Sequence, residues 1–136
     1  MKLIVCSLII GILFIILDIL RAIITYPIFS AYSYLPIWNT PPNILAGMIF
    51  DLINGFIIVF VYRILYEGIP SVKWCKGLYY GIIIGMFRVV MMTFSIIVLY
   101  NVPIIYVIVS LITGYIEIVI LGVITSIIYE KLGLTD

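Results

Sequence analysis

Six polar side chains stand where long apolar stretches leave them no water: Asp18, Arg21, Asp51, Asn54, Arg88 and Glu117. Their types define a narrow chemistry. A carboxylate can hold a cation or carry a proton, and a guanidinium can hold an anionic group through charge-assisted hydrogen bonds. Carboxylates can also serve as general acids and bases. Here no nucleophile, metal-ligand set or cofactor motif accompanies them. The chain contains no histidine, which removes imidazole-ligated haem, histidine metal sites and histidine bases together. A phosphate-binding glycine loop and a basic run suited to nucleic acid are also missing from the sequence. The expectation is a non-enzymatic protein with no catalytic residue, no metal, no cofactor and no nucleic-acid partner.

The elements that must position these groups follow from composition. Of 136 residues, 66% are hydrophobic and 10% charged, and the mean hydropathy is +1.41. Soluble domains carry about 25% charged residues, so this chain is expected to use lipid as its solvent. Four apolar stretches, Leu3–Thr25, Ile44–Tyr66, Gly77–Tyr100 and Ile104–Tyr129, reach the roughly 20 residues that cross a hydrocarbon core. Backbone groups cannot stay unpaired in lipid, and the alternation of a membrane strand is missing from the sequence, so each stretch reads as a helix. The fold expected is all-α: a single transmembrane domain over residues 1–136, built as an integral membrane four-helix bundle.

Measured from the terminal side at 1.5 Å per residue, Arg88 lies roughly 16 Å deep, Glu117 and Asn54 roughly 18 Å, Asp18 and Asp51 roughly 22 Å and Arg21 roughly 27 Å. The four helices therefore bring charge to nearly one depth. Helical spacing also puts these residues on the small or polar face of each span. The faces are Ser7, Gly11, Asp18, Arg21 and Thr25; Gly47, Asp51, Asn54, Gly55 and Tyr62; Gly77, Gly81, Gly85, Arg88, Met92 and Ser95; and Ser110, Gly114, Glu117 and Thr125. Small and polar residues inside with large aliphatics outside is the pattern of packed membrane helices. Arg88 is expected to pair with Glu117, and Arg21 with Asp18, three residues earlier, as a structural ion pair. Asp51 is then left beside Asn54 to be protonated, hydrated, or partnered by a cation or subunit. The binding layer is read as Asp51, Asn54, Arg88 and Glu117. Gly77, Gly81 and Gly85 form a helix-packing groove, within a subunit or between subunits.

The net charge of +1 says little, but its placement is informative. Lys2, Arg63, Lys73, Lys76 and Lys131 flank the termini and the 67–76 loop, whereas the 26–43 and 101–103 loops carry no Lys or Arg. The positive-inside rule then places both termini in the cytoplasm of a multi-pass cell-membrane protein. Anionic headgroups are a further possible use of those lysines. Aromatic belts fit this orientation: Tyr26, Tyr32, Tyr34, Trp38, Tyr100 and Tyr106 at the outer ends, and Tyr66, Trp74, Tyr79, Tyr80 and Tyr129 at the inner ends, with Tyr115 at mid-depth. The 26–43 loop, aromatic and carrying four prolines, reads as an interfacial segment or a partly re-entrant cap. Cys6 and Cys75 fall on the reducing side, where no structural disulfide is expected. Cleavage of the first span as a signal peptide near Ala31-Tyr32-Ser33 is disfavoured, because Asp18 and Arg21 interrupt an overlong apolar run.

The stretch GIPSVKWCKGLYYGIIIG, through Lys76-Gly77-Leu78 and Gly81, resembles small four-span membrane proteins of no established activity. In these a Pro-containing cytoplasmic loop leads into K-G-L-x-x-G at the head of the third helix. The resemblance implies a four-span bundle and no more. Small multidrug transporters share the size and span number, but their membrane glutamate lies in the first span. Here that span carries Asp18 and Arg21, and the glutamate is Glu117 in the fourth.

Three functions are compatible with these features. The first is a polar layer that binds or passes a small polar solute, ion or proton, a conduit needing a homo-oligomer because four spans enclose little volume. The second is an accessory subunit of a larger membrane complex with a purely structural charge network. The third, a membrane-embedded enzyme, lacks accompanying motifs.

Overall fold

A computed structural model describes residues 1–32, 43–99 and 102–134, with Val90 described by its backbone alone. Among the described residues the chain is helical and has no strand. Helix α1 is Lys2–Phe29, followed by a 3-10 turn, Ser30–Tyr32; α2 is Ile44–Leu65. The third span is made of α3 (Trp74–Gly85), a π-helical turn (Met86–Val90) and α4 (Met91–Leu99), and α5 is Ile104–Lys131. The resulting four spans are long and apolar enough to cross a membrane. The section of the aromatic loop at 33–42, with Tyr34 and Trp38, lies outside the described residues, as do Tyr100 and Asn101.

Local chemistry explains most helix ends. The Asn43 side chain accepts a hydrogen bond from the Ala46 N–H at 3.0 Å, capping α2. Pro103, which lacks an N–H, precedes α5. Helix α5 stops at a left-handed Gly133, φ +60°, where the Leu134 N–H returns to the Tyr129 carbonyl and the Gly133 N–H to that of Glu130. Helix α1 runs past the expected end at Thr25 and contains Pro27. The proline removes one backbone bond, and the helix ends two residues later. Lys73 enters α3 with a positive φ of 51°, and its carbonyl is held by the Ser126 hydroxyl at 2.7 Å.

Helix α1 packs chiefly on α2, and α3 on α5; contacts between α1 and α5 join the two pairs. Both pairings depend on missing side chains. A Cβ on Gly55 would strike the backbone of Gly11. One on Gly77 would strike the Gly122 carbonyl, and one on Gly81 would lie 2.8 Å from the Val119 Cα. Gly85 instead faces the Tyr115 ring, 3.0 Å from its would-be Cβ. Close backbone approach of this kind lets dispersion hold helices together where lipid supplies no hydrophobic drive. Gly47, by contrast, has nothing within 4 Å of a Cβ and faces outward.

The terminal end of the bundle is filled by tyrosine. Tyr62 is fully buried, with Tyr80 at 5.0 Å and Tyr129 at 5.3 Å between ring centroids, both edge-on. Tyr80 donates to the Ile58 carbonyl at 2.6 Å, and Tyr62 to Ser126 at 2.9 Å. Tyr80 and Tyr129 therefore face the core, not an interfacial belt as their sequence positions suggested. The ring of Tyr66, next in the cluster, lies under the Lys76 ammonium at 3.7 Å.

Candidate functional site: a charged cavity in the loop half of the bundle

Above this packed end the helices separate. A cavity of about 270 Å³ opens there, with Asp18, Arg21, Asp51 and Arg88 in its wall beside Phe14 and Thr93. It extends toward the 26–43 loop, where Phe29 and Tyr106, with rings 4.4 Å apart, form part of its side. Both threonine hydroxyls in the wall are internally satisfied. Thr93 donates to the Val89 carbonyl at 2.7 Å and Thr113 to the Val109 carbonyl at 2.8 Å.

Of the two pairs expected, Arg21 with Asp18 forms and Arg88 with Glu117 does not. Arg21 is the bridging cation: it contacts Asp18 on its own helix and reaches Glu117 on α5, Nη1–Oε2 2.9 Å. Glu117 thus pairs with Arg21 and not with Arg88. The reason is reach. Arg21 sits one turn toward the loop end on α1, which also contacts α5, and its long side chain crosses that gap. Arg21 therefore does not extend to the outer interface as an independent charge. Glu117 is 4% exposed, and its second oxygen, Oε1, has no hydrogen-bond partner among the described residues.

Arg88 and Asp51 remain. Among the described residues neither forms an ion pair. The Arg88 guanidinium lies over the Phe14 ring, 4.9 Å from its centroid, a cation–π contact between spans 3 and 1. Asp51 is buried on α2 across the same cavity. Asn54, one turn further along, is half-buried and not in the wall among the described residues. The layer thus resolves into two parts: the triad Asp18–Arg21–Glu117, and the two unpaired members Asp51 and Arg88.

The π turn positions Arg88. Regular spacing puts Arg88, Met92 and Ser95 on one inner face with Gly85. The buried face instead runs through Gly77, Gly81, Gly85, Val89 and Thr93 in steps of four, with Tyr80 buried beside it. The wider turn at Met86–Val90 shifts the register. Ser95 consequently faces outward and bonds back to the Met91 carbonyl at 3.1 Å, while Met92 straddles cavity and exterior. Arg88 sits at the margin of the inner face, half-buried. On α3, just before the turn, the Ile82 carbonyl accepts the Tyr115 hydroxyl at 3.4 Å, so this mid-depth tyrosine supports the irregular backbone.

Two groups of participants were not singled out from the sequence. Phe14 was legible, lying four residues before Asp18 on the same helical face. Thr93 was not, because the register shift that turns it inward leaves no sign in the residue pattern. Among the described residues no three His, Cys, Asp or Glu side chains converge as a metal site. Cys6 and Cys75 are both free thiols.

Four apolar helices beside a mixed-charge cavity define the class: a helical bundle of four elements long and apolar enough to cross a membrane, with an internal polar cavity. Comparison with protein-family models, curated proteins and solved structures finds no match to this chain.

Proposed function

We propose that this is a non-enzymatic membrane protein that binds a small polar solute, ion or proton in the cavity between Asp51 and Arg88. One observation carries the reading: opposite charges that form no ion pair among the described residues line one cavity of about 270 Å³. Ionisable groups at membrane depth are costly and mark functional sites by default, whereas the triad has a sufficient structural role in tying α1 to α5. The volume far exceeds the roughly 30 Å³ share of a single water and falls just below the ~300–1,000 Å³ of typical small-molecule sites.

With the termini cytoplasmic by the positive-inside rule, the cavity opens outward and the tyrosine layer closes its inner side. Passage across the membrane then requires that layer to part, within one chain or at the contact between copies of a homo-oligomer. Native mass spectrometry of the protein gently extracted from its own membranes tests the reading. A defined small ligand, lost in Asp51→Asn and Arg88→Gln proteins that still fold, is the expected result. Stoichiometric larger membrane proteins without a ligand would replace it with the accessory-subunit role.

A further inference from the structure

From the two charges left without an ion pair in one cavity we infer that the solute is a small zwitterion, its anionic group on Arg88 and its cationic group on Asp51. The inference rests on the cavity being a solute site and adds the class of solute.

The argument is one of pairing. Asp18 and Glu117 share Arg21, and neither forms an ion pair with Arg88. Asp51 comes from α2 and Arg88 from the π turn of span 3, and they line the same cavity without forming an ion pair with each other. A buried charge left without a partner is strongly unfavourable. A simple cation would satisfy Asp51 and leave Arg88; a simple anion would do the reverse and add charge to a cavity already carrying Asp51. A neutral polar molecule would satisfy neither fully. A zwitterion satisfies both and leaves the net charge of the site unchanged.

The walls agree with this division. Phe14 covers one side of the guanidinium, leaving the remaining N–H donors for an oxyanion. Apolar Val89 and the self-satisfied Thr93 stand in the wall with the two charges, which suits a short carbon skeleton joining the ligand's ends.

The experiment uses the full-length protein in lipid nanodiscs, with calorimetry and thermal unfolding as readouts. The probes are γ-aminobutyrate, L-proline and glycine betaine, with butyrate and butylamine as the single-charge analogues of γ-aminobutyrate. At least one zwitterion should bind saturably and raise the unfolding temperature, and butyrate and butylamine should bind about tenfold or more weakly than γ-aminobutyrate, as expected for loss of one charge-assisted contact. Asp51→Asn should weaken zwitterion binding about tenfold without weakening butyrate, and Arg88→Gln should weaken zwitterion binding without weakening butylamine. Butyrate or butylamine binding as tightly as the zwitterions would overturn the inference and leave the solute site standing. So would binding of an inorganic cation with none of the zwitterions. No binding by any probe, together with an Arg88→Gln protein that is destabilised and carries no ligand in native mass spectrometry, would overturn both.

Discussion

Arg21 Nη1 lies 2.9 Å from Glu117 Oε2, joining the first helix to the last at a depth where α5 offers no other charge. Glu117 is almost wholly buried, whereas the Arg21 side chain is 38% exposed. The pair is thus anchored on the α5 side and reached from the cavity. That asymmetry makes its removal a test of the triad as structure.

Arg21→Gln should lower stability by about 1–3 kcal/mol, because Glu117 is left buried without its cation. The double variant Arg21→Gln/Glu117→Gln should recover part of that loss. Unfolding in mixed micelles measures both. A coupling of Glu117→Gln to Arg88→Gln in place of Arg21→Gln would reinstate the pairing suggested by sequence depth alone.

Gly77→Ala should destabilise by about 1–3 kcal/mol, since the added carbon meets the Gly122 carbonyl and the helices must part. Gly47→Ala meets nothing within 4 Å and should stay within about 0.5 kcal/mol of the parent. Thermal unfolding of the two proteins side by side decides whether the groove is used inside the chain. Equal effects would point away from the α3–α5 contact.

Tyr80→Phe should cost about 1 kcal/mol through loss of the 2.6 Å bond to the Ile58 carbonyl. Tyr79→Phe, at a ring that is 48% exposed, should be close to neutral. The same unfolding measurement applies, and the contrast distinguishes a tyrosine of the inner layer from one at the interface.

Thr93→Cys and Ser95→Cys, made in a Cys6→Ser/Cys75→Ser background, read the register of the third span. Thiolates react and thiols in lipid do not. A membrane-impermeant maleimide added to intact cells should label Thr93→Cys through the cavity and spare Ser95→Cys. The reverse pattern would mean a regular α-helix through Met86–Val90.

Much of this protein is determined by composition and spacing. Apolar length dictates four helices wherever lipid is the solvent, and the clustering of Gly77, Gly81 and Gly85 marks the face of α3 that can approach another backbone. Arg63, Lys73 and Lys76 mark one end as the more basic. The shared depth of Asp18, Asp51, Arg88 and Glu117 was also readable, because the rise per residue is fixed.

Which charge meets which was decided only by tertiary structure. Depth sets one coordinate of a side chain; the partner depends on helix order around the bundle and on rotation about each axis. Both α1 and the third span contact α5, yet Arg21 meets Glu117 while the Arg88 guanidinium lies over Phe14. The π turn then moves Thr93 inward and Ser95 outward, a register change that the residue pattern of the third span does not record. Sequence periodicity assumes one uniform helix, and a single wide turn is enough to break that assumption.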